Sequence, residues 1–119
     1  MSKTILVVDD SPAEVQVMLS ALQGKGYNFV TAADGEEALE KNLGYRPDLI
    51  LLDIVLPKRN GYQICREIKS NKTFAPKIIM VSSKNQESDR FWGLKQGADE
   101  YLTKPLDLQV LADMVDRLL

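Results

Sequence analysis

The sequence predicts an α/β fold in three layers, a parallel sheet doubly wound by helices on both faces, and three observations lead there. Leu49-Ile50-Leu51-Leu52 is an unbroken run of large apolar residues between Asp48 and Asp53. It is too short for a membrane span and lacks helical spacing, so it reads as a strand buried on both faces, as parallel sheets require. Five such short segments alternate with segments of helical period, and short right-handed crossovers leave few other topologies. At 119 residues the chain fits one domain, expected over residues 1–119, with no linker, repeat or low-complexity segment to divide it.

Thr4 to Asp9 is the first strand. Ser11 suits the N-cap of the helix that follows, Pro12 its first position and Glu14 its third, together a capping-box pattern. Val15, Met18, Leu19 and Leu22 recur at helical spacing until Gly24-Lys25-Gly26 ends the helix. Asn28 to Ala32 is the second strand. Asp34-Gly35-Glu36-Glu37 then opens a helix whose inner stripe is Ala38, Leu39, Asn42 and Leu43, and Arg46-Pro47 stops it. Beyond the central strand, Gly61 to Ser70 forms a third helix with Ile64, Cys65 and Ile68 inward, which makes Cys65 a packing residue. Lys77 to Ser82 is another apolar strand. The fourth helix runs from about Gln86 to Gly97, with Phe91, Leu94 and Ala98 projecting to one side and Trp92 on the flank. Asp99 to Thr103 is the last strand and Lys104-Pro105 the turn. Asp107 caps a final helix that buries Leu108, Leu111, Ala112, Val115 and Leu119 and leaves Val110 and Met114 on the opposite side.

Composition removes several classes of function. The apolar run after Met1-Ser2-Lys3-Thr4 is too short for a signal peptide or a membrane span, so a cytoplasmic protein is expected. A lone cysteine and no histidine exclude a disulfide framework and argue against zinc, haem or a Cys/His nucleophilic pair. Any phosphohistidine must then belong to a partner. A formal net charge of −2 offers no electrostatic footprint for nucleic acid.

Ligands of open α/β sheets bind at the C-terminal ends of the strands, where Asp53 lies. Alone, Asp53 suits a strand-end turn equally well. Alternation does not give strand order, but the flavodoxin-like order 2-1-3-4-5, the one expected here, sets strands one and three side by side and brings Asp9, Asp10 and Asp53 together. Three carboxylates in one cleft repel one another unless a hard cation neutralises them. Mg²⁺ suits such a site, because it takes a few carboxylate oxygens and keeps positions for water and phosphate. Lys104 and the Ser82 hydroxyl leave the same sheet edge and could bond to phosphoryl oxygens. These are the parts for in-line phosphoryl transfer to a carboxylate. Each has a bland alternative, a helix-dipole aspartate for Asp10, a strand-end polar residue for Ser82 and a solvated turn for Lys104, but the alternatives must all hold at once.

The segments Ile5-Leu6-Val7-Val8-Asp9-Asp10, Leu51-Leu52-Asp53-Ile54-Val55-Leu56-Pro57 with Asn60-Gly61, Ile79-Met80-Val81-Ser82, Gly97-Ala98 and Tyr101-Leu102-Thr103-Lys104-Pro105 together resemble response-regulator receiver domains of the CheY type over the whole chain. Within that family, Lys84-Asn85-Gln86-Glu87-Ser88-Asp89, Trp92-Gly93 and Gln96-Gly97-Ala98 up to the Tyr101–Lys104–Pro105 run resemble PilH-type receivers of pilus-based motility systems. The resemblance implies that Asp53 accepts a phosphoryl group from a partner's phosphohistidine, on a histidine kinase or phosphotransfer protein. It implies Mg²⁺ on Asp9, Asp10, Asp53 and the backbone carbonyl of Val55, with Lys104 on the phosphoryl group. Ser82 would move toward the phosphate, Tyr101 would change rotamer with it, and Lys104-Pro105 would be a cis peptide.

Two rim positions bear on signal lifetime. Val55 cannot orient an attacking water and Lys84 brings a cation where a carboxylate would assist one, so slow self-dephosphorylation is expected. Trp92, Val110 and Met114, with Tyr101 between them, suggest that output passes through the fourth helix, fifth strand and fifth helix to a downstream protein or to a second copy on activation. Two other readings stand beside the switch. A scaffold that is never phosphorylated has no use for the full set of Asp9, Asp10, Asp53, Ser82 and Lys104. A small phosphatase with an aspartyl nucleophile would need an acid where Val55 stands.

Overall fold

Successive residues of a strand point to opposite faces of a sheet, so a sheet covered on both faces needs apolar side chains at every position. The computed structural model describes residues 2–119, and Met1 lies outside them. The chain alternates β1 (Thr4–Val8), α1 (Pro12–Ala21), β2 (Asn28–Ala32), α2 (Gly35–Tyr45), β3 (Leu49–Leu52), α3 (Gly61–Lys69), β4 (Lys77–Ser82), α4 (Glu87–Lys95), β5 (Glu100–Thr103) and α5 (Leu108–Leu118). All strands are parallel, in the flavodoxin-like order β2-β1-β3-β4-β5.

The central strands are apolar on both sides for the reason given. Leu6, Val8, Ile50, Leu52, Ile78 and Met80 face α2 and α3, where they meet Ala38, Ile64, Cys65 and Ile68. Ile5, Val7, Leu49, Leu51, Ile79 and Val81 face α1 and α5, where they meet Met18, Leu22, Leu111, Ala112 and Val115. All of β3 is withdrawn from water, and each such aliphatic side chain contributes roughly 1.5–3 kcal/mol. Cys65 belongs to this packing, and burial pushes its thiol up to about 12, which leaves it unreactive.

Helix starts follow local chemistry. Ser11, Asp34, Asn60 and Asp107 are N-caps whose side chains accept backbone N–H groups of the first turn. Of two helix stops, the first differs from expectation and the second agrees. α1 ends at Ala21, ahead of Gly24 and Gly26, whose positive φ angles shape the loop instead. α2 ends on Arg46 in the left-handed region, held over the Phe74 ring at 5.6 Å.

The apolar stripes need correction at three helices. Leu43 is 70% exposed, and Leu108 also reaches solvent. Met114, expected to point outward with Val110, is half-buried against the α1/α5 core, whereas Val110 is exposed. Of the stripe expected on the fourth helix, Phe91 and Leu94 are 56% and 38% exposed while Ala98 is buried, and Trp92, expected on the flank, is 53% exposed. The residue α4 buries is Gly93. A Cβ there would stand 2.7 Å from the Met80 Sδ and 3.0 Å from the Tyr101 ring, so the helix lies on the sheet through its smallest residue. Phe91 and Trp92 instead pack edge-on against each other.

Two glycine substitutions should therefore move stability in opposite directions. Gly44, inside α2, has nothing within 4 Å of a new Cβ, so Gly44→Ala should gain about 1 kcal/mol from helix propensity. Gly93→Ala gains the same propensity but overpacks a closed contact at ~1–3 kcal/mol. Urea unfolding should place the first above wild type and the second below it; equal shifts would mean that α4 is not seated on Gly93.

Candidate functional site

The strand ladders run one residue past the strand ends, and this overhang builds the site. Asp53 N donates to Val8 O at 3.0 Å and Asp9 N to Ala32 O at 3.1 Å, so Asp9 and Asp53 leave neighbouring strands side by side. Lys104 N donates to Ser82 O at 2.8 Å, which aims the last strand's turn at the same edge. The Lys104-Pro105 peptide is cis.

Each inner carboxylate is divided between backbone and lysine. Asp9 accepts Ser11 N on Oδ1 at 2.9 Å and Lys104 Nζ on Oδ2 at 2.8 Å. Asp53 accepts Val55 N on Oδ1 at 3.2 Å and Lys104 Nζ on Oδ2 at 3.2 Å. Glu14 Oε2 stands 3.9 Å from the same ammonium. Asp9, Asp53 and Ser82 are buried, whereas Asp10 is exposed at the mouth. Burial pushes the Asp53 carboxyl up, the Lys104 charge and the Val55 N–H hold it down, and the Asp9 charge adds to the rise. Burial alone would lower Lys104, but its bond to Asp9 and the charges of Asp53 and Asp9 outweigh that and raise it.

One carboxylate oxygen from each of Asp9, Asp10 and Asp53 lies within 4.8 Å of the others. Three anionic oxygen donors at that spacing, with Asp10 open to solvent, fit a hard divalent cation that keeps some of its water. The cluster is therefore one that could bind a metal.

The loop after β3 is folded back onto the site. Gly61 N donates to Ile54 O at 2.8 Å, and a Cβ on Gly61 would stand 2.3 Å from Asp53 O and 2.7 Å from Ile54 Cα. Only glycine lets α3 begin this close to the Asp53 peptide. Neither that constraint nor the approach of Glu14 to Lys104 has a signal in the residue pattern.

Ser82 ends β4 at this edge, and its Oγ accepts Lys84 N at 3.4 Å. Among the described residues it makes no hydrogen bond to the aspartates. The Tyr101 ring is buried, and its hydroxyl donates to Lys84 O at 2.7 Å; burial first, then the Tyr62, Asp89 and Asp53 charges, push that hydroxyl up to about 12. Tyr101 thus reaches the loop that follows Ser82. Val55, half exposed, lines with Lys84 and Tyr62 an open groove of about 410 Å³ beside Asp53.

A family model described as the response regulator receiver domain matches residues 5–116. The chain belongs to that family. Over 116 residues this receiver domain is 39% identical to Protein PilH of Pseudomonas aeruginosa, with 97% of this chain and 96% of PilH covered. It is 46% identical over 105 residues to the alkaline phosphatase synthesis transcriptional regulatory protein PhoP of Bacillus subtilis, covering 88% of this chain but only 43% of PhoP. The receiver domain thus spans less than half of that relative. Among solved structures, the chemotaxis response regulator CheY4 of Vibrio cholerae matches over the full length of both chains, with a TM-score of 0.88 and 31% identity. Receiver domains belong to two-component signalling, and membership implies a histidine kinase as phosphodonor. Among the described residues, no helix is long and apolar enough to cross a membrane.

The Gly61 contact gives a direct check. Gly61→Ala should lose at least ~2 kcal/mol in urea unfolding and shift the amide resonances of Asp53 to Val55. A loss below about 0.5 kcal/mol, the range of ordinary surface changes, would mean the loop accepts a Cβ and does not constrain Asp53.

Proposed function

We infer that this chain is a phosphorylated switch in which Asp53 accepts a phosphoryl group from a histidine kinase or phosphotransfer protein. The observation behind this is the convergence of Asp9, Asp10, Asp53 and Lys104 on one sheet edge, with the shared ammonium on two of the carboxylates. Asp9, Asp10, Asp53 and the backbone carbonyl of Val55 would hold Mg²⁺, which when bound offsets the anionic charge of the phosphoryl group and its acceptor. An Asp53 carboxylate oxygen forms the new bond to phosphorus as the bond to the donor nitrogen breaks, and the electron pair stays with the departing imidazole. Lys104 then passes from a carboxylate oxygen to a phosphoryl oxygen, the kind of charge-assisted bond it already makes. The Ser82 hydroxyl bonds another. Because Ser82 and Tyr101 both hydrogen-bond Lys84, a move of Ser82 is carried to Tyr101 through that loop.

Output follows from the phosphoryl group, which carries about −1.5 to −2 at neutral pH in place of the single carboxylate charge of Asp53. Tyr101, Trp92 and Val110 then lie on the responding face of α4, β5 and α5, and the partner is a downstream protein or a second copy of the chain. Met114, half-buried, supports this face from below more than it meets a partner. The 39% identity to PilH along nearly the whole of both chains favours a cytoplasmic receiver in chemosensory or pilus-motility control. The reaction is the chain's own phosphorylation and dephosphorylation.

Intact mass after incubation with acetyl phosphate or phosphoramidate and Mg²⁺ decides the central claim. Wild type should gain one labile phosphoryl group, Asp53→Asn none, and chelation of the metal should abolish the gain. A folded wild type without an adduct from either donor would end the switch reading.

Lifetime is a separate matter. Exposed Val55 offers no polar atom to an attacking water and Lys84 no acid, so the adduct should decay slowly. Val55→Asn with Lys84→Glu should shorten its half-life by about tenfold, less than the roughly 10²–10⁴-fold of a fully positioned acid–base group. An unchanged decay in a mass time course would remove these two positions from the account.

A further inference from the structure

The pattern Ser11-Pro12-Ala13-Glu14 opens α1 as a capping box should, yet only half of the box forms. Glu14 N donates to Ser11 Oγ at 3.3 Å. The return bond, from Ser11 N to the Glu14 carboxylate, is missing because Asp9 Oδ1 has taken that N–H at 2.9 Å. Glu14 is thereby released from capping, and its carboxylate turns to the site mouth, 3.9 Å from Lys104 Nζ and 41% exposed.

Its charge there is unbalanced. Lys104 is held at 2.8 Å by Asp9 and 3.2 Å by Asp53, and a divalent cation on the acidic cluster, together with that ammonium, matches the three aspartates. Glu14 is the carboxylate left over. Lys84 is the cation across the mouth, but it lies on the far side, in the groove with Val55. Lys58 is drawn off to Asp34 at 3.5 Å. An anionic donor approaching Asp53 past α1 therefore meets a net negative charge at close range, where Coulomb repulsion scales with the donor's own charge.

We propose that Glu14 is a specificity-determining residue, one that holds off small free dianionic phosphodonors and so reserves Asp53 for donors docked as part of a protein. This rests on the phosphoacceptor reading of Asp53. The chemistry is the same for either kind of donor: a carboxylate oxygen of Asp53 bonds to phosphorus as the leaving group departs with its electron pair, as acetate from acetyl phosphate or as ammonia from phosphoramidate. What differs is the charge that must pass Glu14, two units for acetyl phosphate and one for phosphoramidate at neutral pH. A histidine donor carried on a docked protein is held at the site by contacts away from the mouth, which offset the Glu14 repulsion, so Glu14 weighs less against it.

The test compares wild type, Glu14→Gln and Glu14→Asp with both small donors at low and high salt, following adduct formation by intact mass. The Ser11 cap bond uses the Glu14 backbone, so Gln leaves it in place, and thermal melts check folding. In low salt Glu14→Gln should speed phosphorylation by roughly fourfold with acetyl phosphate and roughly twofold with phosphoramidate, since the dianion feels the charge twice. Both gains should shrink at high salt, and Glu14→Asp should stay near wild type. Mg²⁺ affinity by calorimetry, with no donor present, should fall about fourfold in the Gln variant because the same field attracts the divalent cation. Equal gains with the two donors, gains that salt leaves intact, or an unchanged Mg²⁺ affinity would overturn the assignment. A wild type that takes phosphate from neither donor fails the phosphoacceptor reading itself, which is a separate result.

Discussion

One ammonium group holds two buried carboxylates in place. Asp9 and Asp53 leave adjacent strands with their side chains almost withdrawn from water, and such charges cost several kcal/mol each unless they are paired. Lys104 Nζ pairs with both, and a backbone N–H satisfies the second oxygen of each. That arrangement requires β1 next to β3, ladders that continue one residue beyond Val8 and Leu52, and a last strand whose turn delivers a lysine across β4 to the same edge. The order and length of the strands are thus tied to one point charge. The packing on either face would tolerate slightly different strand ends, but the charge balance would not.

The same balance keeps the site open where Asp10 stands. Lys104 covers Asp9 and Asp53 from the β5 side, while Asp10 stays in solvent, so a cation can be shared by three acids without displacing the lysine from all of them. The loop after β3 packs Gly61 on the Asp53 peptide and leaves the groove at Val55 open. Rigidity around Asp53 therefore comes from backbone contacts, and side chains supply only the charge.

Much of this was legible in the chain because it is local. Apolar runs of four to six residues could only be doubly covered strands, and Ser11, Asp34, Asn60 and Asp107 announce helix starts through side-chain oxygens that cap within three residues. Asp9, Asp10 and Asp53 marked a site once strand ends were known. Strand order is not local and comes from the expected topology; Ser82 and Lys104 follow from the same sheet edge, and only the role of Tyr101 rests on family resemblance. What stayed hidden depends on tertiary spacing. Helical period gives a stripe but not which member meets the sheet, so it points Phe91 and Leu94 inward where Gly93 is the contact, and it misplaces Leu43 and Met114. Gly61 looked like a helix start because a missing Cβ has no pattern of its own. Glu14 looked like a capping partner, since nothing in the sequence shows that Asp9 takes the same N–H.

The seating of α4 has an energetic consequence for signalling. Detaching a helix normally exposes apolar area at roughly 25 cal/mol per Å², which is what fixes most helices in place. Phe91, Trp92 and Leu94 already lie in water, and the contact surface beneath α4 is a glycine, so lifting this helix uncovers little besides Met80 and Tyr101. A displacement that would be prohibitive for α3, with Ile64, Cys65 and Ile68 buried, therefore lies within reach of the free energy of one new charge-assisted hydrogen bond, about 1.5–3 kcal/mol. The helix beside the Lys84 loop is held only weakly by apolar burial of its own.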